Sequence, residues 1–460
     1  MKKGKNILFV LVALLMLSPL TFANGLNLNS LGTRALAMGG AFVGLADDFS
    51  AIYWNPAGLA NFKSRTFGFY GVDIIPSGTY KIVVPNSVGK YIFPGSTADV
   101  TAVDTKTKTK HYLGGMGAYI HPINEKLVAA IGFYTPSGLG SSWDGSKLAF
   151  ISGGRTDIEW TSKIGLLTIA PTLAYKVSDK FQIGASLNIN YGMFDIKMYG
   201  GNPDLTPLGI PITAYDLGQY EESDTGWGLG ATVGLMFKPN DKTSLGLTFR
   251  TPSKVKFSGE AKLPGFAGLG APGSSGIDRD VTWPMWIAGG LAFKPDPKFT
   301  LTFDAQWTQW SKVEKLVATY KDATWSTLMA KTGKNEMSML WGDKMQVRFG
   351  AEYLLSKDLA LRAGYYMDGS PAPDRTMNIL LPNYDFQVVT FGLGYSLGAL
   401  QIDAGLEYLM GSDRDIPFLR TFYKPPIPNA AYDPFYAKAQ PGLYGMKIIA
   451  PNISISYRFD

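Results

Sequence analysis

Residues Phe181 to Gly192 read FQIGASLNINYG. Phe181, Ile183, Ala185, Leu187, Ile189 and Tyr191 alternate with Gln182, Gly184, Ser186, Asn188, Asn190 and Gly192. Successive side chains of a strand point to opposite faces, so the stretch predicts a β-strand with one apolar and one polar side. The same period of two recurs from Phe299 to Trp307, Met345 to Tyr353, Ile402 to Tyr408 and Ile453 to Phe459. A soluble sandwich also alternates, but three features point to a wall facing lipid. The runs reach about nine to eleven residues, the length of a tilted membrane-crossing strand, where sandwich strands average nearer six. Aromatics recur near the run ends, as at Tyr191, Trp307, Tyr353, Tyr395, Tyr408 and Tyr457, where a lipid interface favours them. The connections, finally, alternate in length.

The short connections are Asn124-Glu125-Lys126, Ser178-Asp179-Lys180, Asn240-Asp241-Lys242, Asp296-Pro297-Lys298, Ser356-Lys357-Asp358 and Leu397-Gly398-Ala399. Long ones lie between them: Pro76 to Lys110, Pro136 to Arg155, Gly201 to Glu222, Pro264 to Arg279, Lys321 to Gly342, Gly369 to Asp385 and Gly411 to Gly442. Short turns on one rim and long loops on the other describe an outer-membrane barrel. The expectation is an all-β fold: a transmembrane antiparallel β-barrel of about 14 strands, closed so that every backbone group is paired in lipid. The last strand, ending Tyr457-Arg458-Phe459-Asp460, resembles the terminal strand that barrel-assembly machinery recognises.

Residues 1–23 read as a signal peptide: Lys2, Lys3 and Lys5 precede an apolar run from Ile7 to Leu17, and Thr21-Phe22-Ala23 suits a signal peptidase. That run is too short to span a bilayer, which needs about 20 residues. Cleavage after Ala23 removes 23 of 460 residues and three lysines, which lowers the formal charge from +6 to +3. So small a charge gives no reason to expect nucleic acid. With no cysteine and two histidines, neither disulfide nor thiol chemistry is available, and no metal site or cofactor is expected.

One stretch has a different texture. Leu31 to Asn61 reads LGTRALAMGGAFVGLADDFSAIYWNPAGLAN, small and apolar without a period of two, and broken by Gly32, Gly39, Gly40 and Gly44. It predicts a compact, partly helical plug over residues 24–63, with the barrel over 64–460. Gly39-Gly40-Ala41, Ala46-Asp47-Asp48 and Asn55-Pro56-Ala57-Gly58-Leu59 resemble the N-terminal plug of FadL-type outer-membrane transporters. Trp283-Pro284-Met285-Trp286, Trp310-Ser311 and Asp368 to Arg375 follow in that family's order. The resemblance implies a Gram-negative-type outer-membrane channel for passive uptake of long-chain fatty acids. It also implies an internal apolar pocket, a moving plug and a sideways exit. The alternatives are uptake of neutral aromatic or alkane hydrocarbons and, more distantly, a general porin or adhesin.

Candidate residues follow. Asp47, Asp48, Asn55, Pro56, Ala57 and Gly58, with the terminus from Asn24 to Asn29, form the expected plug and gate. Leu127 to Tyr134 and Ile164 to Ala170 lose alternation, so part of the lumen is expected to be apolar. Behind the first run come Pro136, Gly138 and Gly140, which weaken strand pairing; with Phe133 and Tyr134 they mark the expected lateral opening. Phe266 and Leu269, in an apolar loop, mark an outer landing groove. Lys197 and Arg250 interrupt their strands and are candidate partners for a carboxylate. No phosphate loop is present, and the Gly-x-Ser-x-Gly match at Gly394 to Gly398 runs into a short turn between alternating segments rather than into the helix a nucleophile elbow requires, so the chain does not read as an enzyme. The expected partners are a hydrophobic ligand, outer-membrane lipid and lipopolysaccharide, and the expected state is a monomer.

Overall fold

The computed structural model describes residues 25–28, 31–202, 215–418 and 439–459. The expected signal segment and its cleavage site, Asn24, Asn29, Asp460 and most of the loop from Gly411 to Gly442 lie outside the described residues. Fourteen antiparallel staves close into one cylinder. The first seven are β1 (Thr66–Val84), β2 (Tyr112–Pro122), β3 (Leu127–Trp143), β4 (Trp160–Lys176), β5 (Phe181–Tyr199), β6 (Gln219–Asn240) and β7 (Thr243–Arg250). The rest are β8 (Trp286–Asp296), β9 (Phe299–Thr308), β10 (Lys344–Leu354), β11 (Leu359–Asp368), β12 (Phe386–Leu397), β13 (Leu400–Gly411) and β14 (Gly442–Arg458). β14 pairs with β1, Tyr457 opposite Phe67 and Ile449 opposite Ile75, so the sheet has no free edge.

All six expected short turns fall between consecutive staves. Three of the long connections are shorter than expected, because strands extend into them, whereas that from Gly369 to Asp385 lies between β11 and β12 as expected. β1 runs past Pro76 to Val84, β3 runs through Pro136 to Trp143, and β6 begins at Gln219. Ser274–Trp283, expected as loop up to Arg279, pairs with Ser253–Lys262 in a hairpin that extends the wall. Pro76 pairs with Ile448 of β14, but Gly78, two residues on, turns its amide and carbonyl to Thr107 on the other edge; Pro76 N faces that same edge, where β2 begins opposite Ile74 and the next partner strand opposite Thr79, so no donor is missed.

The alternation sorts as the sequence predicted. Phe181, Ile183 and Leu187 point out and are exposed, whereas Gln182, Ser186, Asn188 and Asn190 point in and are buried. Two apolar cores fill the lumen. The lower one is built around residues 31–61, in which all but Arg34, Asp47, Asp48 and Asn61 are buried. The upper one gathers Trp143, Trp160, Trp310, Trp325 and Trp341 from the upper staves and loops. A cylinder this wide cannot be filled by its own wall residues, so the inner segment supplies what is missing.

Candidate functional site

The inner segment is partly helical: α1 (Thr33–Ala37), α2 (Ala51–Trp54) and a 3₁₀ turn over Pro56–Asn61. Gly39 and Gly40, at φ of 65° and 67°, turn the chain after α1 in a region that favours glycine. Each part is tied to a different stave. The Thr33 amide donates to Ser454 Oγ at 2.9 Å, and the Gly39 amide to Thr390 Oγ1 at 3.1 Å. Arg348, buried in β10, donates to the Gly39 carbonyl at 3.1 Å, and the Val43 amide donates to Asp304 of β9 at 2.7 Å. Thr248 of β7 donates to the Trp54 carbonyl at 2.9 Å.

Of the expected gate residues, Asn55 is the most firmly held. Its Nδ2 donates to the carbonyls of Val43 and of Leu235 in β6, both at 3.0 Å, and its Oδ1 accepts from the Ala57 amide. Pro56 and Ala57 lie against the wall where it has no side chain: a Cβ on Gly184 would meet Pro56 at 2.4 Å, and one on Gly234 would meet Asn55 Oδ1 at 2.0 Å. Gly58 likewise backs onto the Ala46 carbonyl. Asp47 pairs with Arg34, which also reaches Glu352 of β10 at 2.7 Å, and Asp48 accepts from the amide and hydroxyl of Ser50. Glu352 and Asp403 are bridged in turn by Arg362, both contacts at 2.6 Å. This chain of charges clasps the segment at the end of the short turns.

The wall is broken at the expected lateral opening. The β2–β3 ladder ends at Met116 opposite Tyr134, although both staves continue upward. β3 also shifts register against β4 between Tyr134 and Ser137, which accommodates Pro136. Across the gap a side chain replaces the missing ladder: the Gly115 amide donates to Thr135 Oγ1 at 2.9 Å, and that hydroxyl lies 3.3 Å from the Gly115 carbonyl. Phe133 faces outward and is 47% exposed, whereas Tyr134 is buried. Residues 25–28 occupy the inner edge. Asn27 forms a bridge with Ser137, the Leu28 amide donates to the Pro136 carbonyl at 2.9 Å, and Ser137 Oγ donates to the Leu26 carbonyl.

Three spaces meet here. An inner cavity of about 120 Å3 is lined by Gly25, Leu28, Tyr112, Gly138, Gly140 and Leu381, with Asp368 and Glu407. None of the described residues lining it is Lys, Arg or His. A second, of about 30 Å3, lies between Tyr134, Asn188, Asn190, Trp286 and Arg250, and Asn27 borders both. Outside the gap is a groove of about 840 Å3.

The two candidate cations separate. Lys197 is neutralised by Glu159 at 3.3 Å and Glu221 at 3.5 Å. Arg250 points into the lumen, donates to Thr232 Oγ1 at 3.1 Å and to the Tyr53 carbonyl at 3.2 Å, and stands over the rings of Tyr53 and Trp286. Among the described residues it has no carboxylate partner. Phe266 is 3% exposed and packs edge-on against Trp325, with Leu269 half-buried beside the same cluster; neither stands open at the surface.

A family model described as "Outer membrane protein transport protein (OMPP1/FadL/TodX)" matches residues 14–423. The chain belongs to the OMPP1/FadL/TodX family. It is 24% identical over 435 residues to the "Long-chain fatty acid transport protein" of Escherichia coli O6:H1, covering 87% of this chain and 90% of that protein. It is 24% identical over 407 residues to "Outer membrane protein P1" of Haemophilus influenzae, covering 81% and 83%. Its fold is similar to that of a Pseudomonas aeruginosa FadL homologue, with TM-score 0.76, 17% identity and coverage of 95% and 100%. It is similar also to the Pseudomonas putida toluene transporter TodX, with TM-score 0.68, 17% identity and coverage of 94% and 99%. Like other FadL-family members, the protein is an outer-membrane barrel of a group that transports hydrophobic compounds.

The sequence missed the contacts between residues 25–28 and β3, the Thr135 hydroxyl across the gap, and the two acids lining the inner cavity. The first joins residues more than a hundred positions apart, and no periodicity signals it.

Proposed function

We propose that this protein takes up long-chain fatty acids passively, holding them beside Arg250 and the inner cavity and releasing them sideways between β2 and β3. The observation that carries this reading is the position of residues 25–28, zipped onto the broken edge of β3 and bordering both inner spaces. The inner cavity, about 120 Å3, is of the size that holds one benzene, about 150 Å3 in an engineered case, and is too small for a fatty acid. Withdrawal of the terminus joins it to the Arg250 space and to the gap. The joined site has a cation at one end and mainly apolar walls beyond it, with Asp368 and Glu407 among their lining, so a carboxylate headgroup is placed at the Arg250 end.

The plug movement is then confined to the terminus, with Asn55 to Gly58 as its anchor. A chain of about sixteen methylenes buried in one fixed pocket is held by roughly 12 kcal/mol before entropic costs, and release is slow. Division of the lumen into small spaces that merge and separate avoids that trap. The barrel closes on itself, so a monomer suffices; the outer leaflet around it is lipopolysaccharide, and barrel-assembly machinery inserts it.

Deletion of Asn24 to Asn29 is expected to abolish uptake of a labelled fatty acid while the protein still assembles and resists heat in detergent; normal uptake by the truncated protein defeats the proposal. Arg250→Gln is expected to weaken fatty acid binding about tenfold or more, as loss of a charged hydrogen bond implies, and to leave a neutral ligand unaffected. One observation favours a second reading. The small cavity, lined by Asp368 and Glu407 and by no cation among the described residues, suits a neutral aromatic compound as it stands. Calorimetry with toluene against a fatty acid separates the two.

A further inference from the structure

Asp73 stands in the outward row of β1 behind Phe67, Phe69 and Gly71. In β14 its level lies between Ile453, opposite Gly71, and Ile449, opposite Ile75, which are 45% and 46% exposed. In β2 it faces Leu113 directly, which is 81% exposed. A carboxylate among lipid-facing apolar side chains is costly, and such a residue marks a function together with its partner. The partner is His111, whose Nδ1 lies 2.6 Å from Asp73 Oδ2; the other carboxylate oxygen has no hydrogen bond among the described residues. Asp73 lines the groove outside the wall gap, where Gly71, Gly115 and Gly117 form a trough between Phe69, Leu113 and Phe133.

We infer that the Asp73–His111 pair is the headgroup station of the sideways exit, protonating a carboxylated ligand so that it enters the lipid as the neutral acid. This rests on the fatty acid reading above. An ionised carboxylate cannot leave water for hydrocarbon without a large penalty, so the charge must be lost at the lip of the gap. Imidazole can hold a partner through one ring nitrogen while it passes a proton through the other. With Nδ1 turned to Asp73, Nε2 is the nitrogen available: its N–H bond breaks as an O–H bond forms on the ligand. The ring, 59% exposed, then takes a proton back from water. Asp73 holds the ring in place.

The test compares uptake of a long-chain fatty acid and its methyl ester by the full-length protein in vesicles. His111→Gln keeps a hydrogen-bond donor but cannot titrate, and is expected to slow the acid by roughly tenfold or more, in keeping with loss of a positioned proton donor, without slowing the ester. Asp73→Asn is expected to have a smaller effect in the same direction. Equal slowing of both ligands, or unchanged acid uptake, overturns the inference. A built Cβ on Gly114 lies 3.0 Å from Thr135 Oγ1, so Gly114→Cys with Thr135→Cys can seal the gap by a disulfide in a chain without other cysteines. If the sealed protein carries the acid at the unsealed rate, the sideways path fails and the station with it. If the seal stops transport while His111→Gln behaves as wild type, the station alone is wrong.

Discussion

Asp48 and Arg250 show how burial rather than residue type decides what a charge does. Burial pushes the Asp48 carboxyl up to about 6, against the pull of Arg34 and the hydrogen bonds from Ser50. An acid raised in the folded state favours that state below its ordinary value near 4 and loses the advantage as pH climbs through 6. Asp48→Asn keeps the acceptor for Ser50 and removes the titration. It is expected to be the more stable protein at about pH 7.5, by up to about 2 kcal/mol after allowance for partial exposure, and to match the wild type below about pH 4. Thermal unfolding in detergent at the two pH values checks this; equal stabilities at the higher pH refute it. Both residues were singled out in the sequence, one as part of a plug motif and one as a charge interrupting a strand. Their environments were not legible there, because Asp48 is desolvated by its own segment's fold and Arg250 meets Tyr53 only across the lumen.

At the scale of the element, β3 is the stave whose irregularity matters. Its Pro136, Gly138 and Gly140 were visible as pairing breakers, and the ladder to β2 does end just before them. Two things were not visible: β3 continues to Trp143, and the Thr135 hydroxyl bonds across the gap to Gly115. Strand continuation depends on β4, which pairs with β3 on the far side up to Trp143 and Trp160. Thr135→Val leaves the Gly115 amide without its partner, at a local cost of about 1–3 kcal/mol. Faster hydrogen exchange at Gly115 is expected, with faster uptake of hydrophobic ligand; unchanged exchange there means that the hydroxyl does not hold the gap. Phe266 and Leu269 fared differently. Their loop is apolar because it packs on Trp325, and a sequence gives no sign of which apolar loops find a cover.

For the whole molecule, the lumen is closed twice, by the inner segment below and by the tryptophan-rich core above. No steady ionic current is therefore expected in planar-bilayer recordings, and a constant porin-like conductance contradicts a filled barrel. The sequence by itself determined the wall. A period of two and the contrast between short turns and long connections are local properties, imposed on every stave by lipid outside and polar or plug atoms inside. Strand number, direction and sidedness could therefore be read without knowing any neighbour. It also located the plug, whose texture differs from a strand over thirty consecutive residues. Only the tertiary structure decided the site. Residues 25–28 against β3, the neutralised Lys197, Arg250 without a carboxylate partner among the described residues and the Asp73–His111 pair all depend on which atoms meet between separate parts of the chain. Such contacts are made by packing between distant parts of the chain, and packing leaves no period behind.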